Sequence, residues 1–111
     1  MVEVVILILV ITTVDDPQKA KSLARGIVKR KLAACVSFFQ VQSTYYWKGK
    51  ICEEGEYMLF IKTLEKNVDD LIDWLKKNHP YTAPEIVTIN TRAHGKYVDW
   101  LLEYLILGGY K

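Results

Sequence analysis

The chain has 111 residues, half of them hydrophobic and a quarter charged, with a formal net charge of +2. That length suits one domain with one core, and the composition excludes a disordered or low-complexity chain. The charge is too mild to imply a polyanion partner, so no nucleic-acid partner is expected.

Val2 to Ile11 is nearly unbroken Val, Ile and Leu, the pattern of a central strand buried on both faces. It contains Glu3, lacks a basic start and has no small-residue cleavage site. It reads neither as a signal peptide nor as a membrane span, which needs roughly 20 apolar residues. No membrane partner and a cytoplasmic location are therefore expected. Two cysteines, Cys35 and Cys52, are too few for a disulfide scaffold and suit reduced thiols.

Asp16-Pro17 supplies an N-cap and a proline at the first helical position. Ala20, Leu23, Ala24, Ile27 and Val28 follow on one helical face. The segments Ala33 to Tyr46 and Ile51 to Thr63 read as two long antiparallel strands joined at Trp47-Lys48-Gly49-Lys50, where Gly49 can take positive φ. Asn67 is the expected cap of a second helix with core face Val68, Leu71, Ile72 and Leu75, ended before Pro80. Ile86 to Asn90 supplies a fourth strand. Past Gly95, Val98, Leu101, Leu102 and Leu105 recur at helical spacing in a third helix. The basic clusters Lys29-Arg30-Lys31 and Lys76-Lys77 sit where helices end, which suits the helix dipole. The order β-α-β-β-α-β-α predicts an α+β fold, a ferredoxin-like split βαβ sandwich with a long β-hairpin.

A two-residue hairpin loop at Lys48-Gly49 fixes the pairing, so that Cys35 faces Lys62 and Cys52 faces Tyr45. The cysteines then lie roughly 30 Å apart at ~3.3 Å per residue, too far for a disulfide within one chain. Each strand of the hairpin spans about 40 Å, whereas a helix of roughly 15 residues covers ~22 Å. The distal half outruns its cover while carrying Val41, Tyr45, Tyr46, Trp47, Ile51 and Tyr57. Such an aromatic surface predicts a homo-oligomer with the hairpin at its interface; the competing expectation is a twisted hairpin folded back on its own sheet.

His79-Pro80-Tyr81-Thr82-Ala83-Pro84-Glu85 puts an imidazole, a phenol and a carboxylate in one proline-restricted turn. It reads as a ligand cluster for a metal or small molecule, or as a stop-and-start signal between elements. His79 suits ligation or helix capping equally, and Glu85 suits ligation or a lysine pair. Cys35 is a soft ligand or a small buried hydrophobe; Lys62 beside it reads as stabilising a thiolate, as a solvated edge charge or as an anion contact in an intersubunit cleft. Tyr81 and Trp100 read as packing aromatics. Glu53, Glu54 and Glu56 read as a solvated face that gathers cations weakly.

The acidic run Thr12-Thr13-Val14-Asp15-Asp16 offers no phosphate cradle, and no triad, Gly-rich phosphate loop, CxxC pair or HExxH motif occurs. No enzyme activity and no organic cofactor are expected. An RNA-recognition surface is disfavoured because Glu53-Glu54-Gly55-Glu56 stands where stacking aromatics would be needed.

Several pieces taken in order carry a likeness: Thr12-Thr13, Lys31-Leu32-Ala33-Ala34-Cys35-Val36, Tyr46-Trp47-Lys48-Gly49-Lys50-Ile51, Ile61-Lys62-Thr63, His79-Pro80-Tyr81 with Pro84-Glu85-Ile86, and Tyr97-Val98-Asp99-Trp100. The chain resembles the CutA divalent-cation-tolerance family over nearly its whole length. The resemblance implies a ferredoxin-like homotrimer similar to PII signalling proteins, with a role in tolerance of copper and other divalent cations. The copper ligands it implies fall on Thr12, Asn78 and Glu85, with His79 as a neighbouring imidazole. Candidate metal ligands are therefore His79, Glu85 and Cys35, and candidate cleft residues are Lys62, Tyr81 and Thr12. The alternative is a PII-like trimer that binds an anionic small molecule through Lys62.

Overall fold

The structure, a computed structural model, describes residues 4–107. The elements are β1 (Val4–Val14), α1 (Pro17–Lys29), β2 (Cys35–Trp47), β3 (Lys50–Thr63), α2 (Glu65–Asn78), β4 (Val87–His94) and α3 (Lys96–Leu105). The sheet order is β2-β3-β1-β4, with every neighbouring pair antiparallel. This is the expected ferredoxin-like split βαβ arrangement.

Side chains alternate across a strand, so β1 serves both faces of the sheet. Ile8, Val10 and Val14 meet Leu59 and Ile61 of β3, Ala20, Leu23 and Ile27 of α1, and Leu71 and Leu75 of α2 in one buried cluster. Leu7 points the other way and joins Ala93, Val98, Leu101 and Leu105, so that α3 closes one end of the sheet. The Tyr104 hydroxyl donates to the Val28 carbonyl oxygen at 2.6 Å and ties α3 to α1. As expected, β1 is central, but its first turn of sheet is not enclosed: Val4 and Ile6 are exposed where the strand runs past the helices. Val2 and Glu3 lie outside the described residues.

The first helix starts as its sequence dictates, with the Asp16 carboxylate accepting from the Lys19 backbone N–H at 3.1 Å and Pro17 at the first position. The second does not. It begins at Glu65, with Leu64 at the N-cap position and no side-chain cap. Burial of Leu64 fixes the entry, and Glu65 supplies favourable charge in the first turn. Asn67 lies inside that turn, where its Nδ2 donates to the Lys31 carbonyl at 3.5 Å and its Oδ1 is buried without a hydrogen-bond partner. The fourth strand is longer than expected and displaced, pairing from Ile11↔Val87 to Val4↔His94. The Thr91 hydroxyl donates to the Leu7 carbonyl and Ala93 is buried beyond it, so the ladder continues past Asn90.

The hairpin turns through Lys48 (φ 49°) and Gly49 (φ 84°), both left-handed as a two-residue primed turn requires. The register is the one this turn dictates: Cys35 lies opposite Lys62 and Tyr45 opposite Cys52. The molecule is 52 Å long and 24 by 22 Å across, because the ribbon projects instead of folding back. Tyr46 and Ile51, cross-strand partners near its tip, are 73% and 72% exposed. Trp47 and Tyr45 are also exposed. Tyr57 differs from these four: it packs against the subunit's own core, its ring edge-on to Phe38.

Candidate functional site

The segment between α2 and β4 folds back over the end of β1, and His79 anchors it. Its backbone N–H donates to the Leu75 carbonyl at 2.8 Å, ending α2. Its ring crosses to β1, with Nε2 3.0 Å from both the Thr12 hydroxyl and the Thr13 carbonyl oxygen. The Tyr81 N–H donates to Nδ1 at 3.0 Å. An accepting Nδ1 requires the proton on Nε2, so the ring is the neutral Nε2–H tautomer donating toward Thr13. Burial holds its pKa below the ordinary 6.5. Both ring nitrogens are thus engaged within the chain. Thr12 is fully buried by the same contact.

Tyr81 is carried by that anchor to the open face of the sheet. Alternation along β3 puts Glu54, Glu56, Met58, Phe60 and Lys62 on this face. The Tyr81 hydroxyl donates to the Glu56 carboxylate at 2.7 Å. Burial, then this hydrogen bond, raises the phenol well above its ordinary range. Glu56 is only 7% exposed, and among the described residues no cation stands within ion-pair distance of it. A carboxylate taken out of water with one phenol donor and no counter-charge is costly, and a ligand cation would relieve it.

Around Glu56 lies a cavity of about 610 Å³ whose walls include Asp15, Glu54, Glu56, Tyr81 and Glu85 and contain no lysine or arginine. Asp15 is paired with Lys19 at 3.0 Å. The cavity therefore holds three carboxylates without a basic partner among the described residues. Glu85, singled out from sequence, lines it; His79 positions its Tyr81 wall from behind. Cys35 and Lys62 lie elsewhere, in a second cavity, where Lys62 Nζ is 3.7 Å from Cys35 Sγ and 2.8 Å from Ser37 Oγ. His79, Glu85 and Cys35 are not brought together. No group of three or more His, Cys, Asp or Glu side chains poised to hold a metal occurs among the described residues. Sequence reasoning missed the burial of Glu56, although its two-residue spacing from Met58 and Phe60 places it on their face.

Fold and cavity together define a small α+β domain with a projecting ribbon and an acidic cleft at the base of that ribbon. The model of the CutA1 divalent ion tolerance protein family matches residues 8–104. The chain is 34% identical over 101 residues to the divalent-cation tolerance protein CutA of Thermotoga maritima, covering 90% of this chain and all of that protein. It is 38% identical over 96 residues to the chloroplastic CutA 1 protein of rice, covering 85% of this chain but only 54% of the rice protein. Among solved structures, CutA from Synechococcus elongatus superimposes with a TM-score of 0.89 at 38% identity over 94% of each chain. The chain belongs to the CutA1 divalent ion tolerance family.

The residues present can be compared with the copper site that the family resemblance implies. Thr12 is tied to His79, and the Asn78 side-chain amide donates to the Trp74 carbonyl at 2.8 Å. Neither offers the thiolate or imidazole that copper prefers. The carboxylates that share one cavity are Glu54, Glu56 and Glu85, whose oxygens are hard donors of the kind that divalent cations such as Mg²⁺ take together with water.

Proposed function

We propose that this chain is a non-enzymatic, homotrimeric cytoplasmic protein that takes part in the response to divalent metal ions, copper among them. It holds a divalent cation weakly through oxygen donors in the Glu56 cavity, with Glu54 and Glu85 as the companion carboxylates. The single observation that carries this reading is Glu56, a buried carboxylate bonded by Tyr81 with no basic side chain within ion-pair distance among the described residues. The trimer is supported by the family and by the exposed tip of the ribbon around Tyr46 and Ile51. No helix among the described residues is long and apolar enough to cross a membrane, which suits a cytoplasmic address. A second reading is a PII-like signalling role through an anionic small molecule; it is favoured by Lys62, which has no carboxylate within ion-pair distance among the described residues.

Metal stoichiometry per chain after equilibrium dialysis against Cu²⁺, Mn²⁺ and Mg²⁺, with the solution mass measured on the same samples, tests the cation reading. Glu56→Gln and Glu85→Gln should each lower occupancy at sub-saturating metal. Unchanged binding in the double variant would remove the site.

A further inference from the structure

We propose that the cavity lined by Cys35, Phe60, Lys62 and Tyr97 is a binding site for a small carboxylate carrying an apolar or aromatic body. This deepens the PII-like reading by naming a site and a ligand class, and it is independent of the cation reading.

The cavity measures about 460 Å³, a size suited to a small organic ligand, and among the described residues its walls contain no aspartate or glutamate. Its basic lining residues are Lys62, Arg92 and His94, but strand alternation puts only Lys62 on the face of Leu7 and Leu9, because Arg92 and His94 pair with Ile6 and Val4 of the opposite face. Lys62 sits on the open face of β3, half-buried, and among the described residues donates to Ser37 Oγ at 2.8 Å and toward Cys35 Sγ at 3.7 Å. Among the described residues neither Lys62 nor Arg92 has a carboxylate within ion-pair distance. A half-buried ammonium whose neighbours are a hydroxyl and a thiol lacks the counter-charge that its desolvation demands. Leu7, Leu9 and Phe60 form the apolar wall. The Tyr97 ring stacks near Trp100 at 5.5 Å, and burial, then the adjacent Cys35, push its phenol up to about 12, so it stays a neutral donor. A fixed cation, Lys62, beside an apolar wall selects an anion with a hydrocarbon body over inorganic phosphate or a neutral isostere.

Cys35 is a built-in reporter, because it is a free, half-buried thiol in this cavity. Cys52 is the internal control, a free, half-buried thiol flanked by Glu53 and Glu54. Iodoacetate and iodoacetamide both alkylate a thiolate: the sulfur forms a bond to the methylene carbon, iodide leaves, and the thiol proton passes to solvent. Only iodoacetate is anionic. With rates read by mass spectrometry of the two cysteine peptides in the folded full chain, the iodoacetate-to-iodoacetamide ratio at Cys35 should exceed that at Cys52 by about tenfold, the effect of nearby cations. Lys62→Met should lower the ratio at Cys35 by at least about fivefold while leaving the ratio at Cys52 unchanged. Phenylacetate, but not phenylacetamide, should slow iodoacetamide at Cys35 and leave Cys52 unaffected. Lys62→Gln gives a second variant should Lys62→Met fail to fold.

Equal ratios at the two cysteines in the wild type would overturn the proposal. So would equal protection by phenylacetamide, or a Cys35 that reacts with neither reagent until urea is added, which would mean a neighbouring chain fills the cavity. A metabolite bound elsewhere between subunits would still raise the melting temperature of Lys62→Met, so loss of this site and loss of the PII-like reading give different results.

Discussion

His79→Ala should be the most costly single change in the loop that carries Tyr81, and the size follows from the two ring nitrogens: one N–H shared between Thr12 and Thr13, and one acceptor for Tyr81. The ring loses Thr12 Oγ1 and the Thr13 carbonyl at 3.0 Å each, and the Tyr81 N–H loses its acceptor at 3.0 Å. At about 1 kcal/mol net per bond, with more where a part-buried partner is left unsatisfied, the loss is ~2–4 kcal/mol. For a chain of this size that lowers the melting temperature by roughly 10–20 °C, at protein concentration held constant. The pH dependence is a second readout. Burial lowers the folded-state pKa of His79, so the unfolded chain takes up its proton first as pH falls. The stabilisation is therefore complete above the unfolded value of 6.5 and is lost as pH drops through it towards the lower folded pKa. Protonation also places a hydrogen on Nδ1, against the donating Tyr81 N–H. Thermal melts of wild type and His79→Gln from pH 8 to pH 5 isolate this contribution, since the carboxylates are common to both. A melting temperature for His79→Ala equal to that of wild type, or identical pH slopes for wild type and His79→Gln, would refute the reasoning.

Asp16→Ala removes the cap on Lys19 N–H and should cost ~0.5–2 kcal/mol in a urea titration; no change would show that Pro17 and packing alone start α1. Gly26→Ala sets two effects against each other. A helix-interior alanine gains up to ~1 kcal/mol, but the new Cβ would come within 3.0 Å of two Trp74 ring carbons. Overpacking of this kind costs about 1–3 kcal/mol, so net destabilisation is expected, and a higher melting temperature would mean the ring yields freely. Tyr46→Ser with Ile51→Ser removes two side chains worth ~1–2 kcal/mol each if assembly buries them. Light scattering across a micromolar dilution series should show the variant dissociating first, with its circular dichroism retained. A wild type that stays monomeric would remove the trimer.

The hairpin register was legible because one local fact, a two-residue turn at Lys48-Gly49, propagates along the whole ladder to Cys35↔Lys62. The faces of α1 and α3 were legible because their apolar periodicity is strong and their neighbours agree with it. Asn67 misled because a good capping residue competes with the burial of Leu64, and burial won. Of the candidate site, the sequence located the His79 to Glu85 segment but not what its residues touch. The ring of His79 meets Thr12 and Thr13, more than sixty positions earlier, and Tyr81 meets Glu56, 25 positions earlier. No local pattern encodes such contacts. Glu56 accordingly looked like one of three solvated acids, whereas the returning loop encloses it.

The two cavities share a strand, and this bears on how their tests combine. Glu56 and Lys62 are six positions apart on one face of β3, roughly 20 Å at ~3.3 Å per residue. That exceeds a physiological screening length of about 8 Å, so an unpaired acid and an unpaired base on the same strand do not satisfy one another. Between them lie Met58 and Phe60, flanked across the sheet by Ile11 and Leu9 and by the exposed Phe39, Val87 and Ile89. A second copy laid on this apolar centre would bury it and leave a charged cleft at either end, each still in want of a counter-ion. Residues this far apart with no shared partner behave additively to within ~0.5 kcal/mol. The melting-temperature changes of Glu56→Gln and Lys62→Met should therefore sum in the double variant, and divalent metal should shift only chains that retain Glu56. Strong non-additivity would show that assembly couples the two ends, and a metal shift lost on Lys62→Met would place the cation in the wrong cleft.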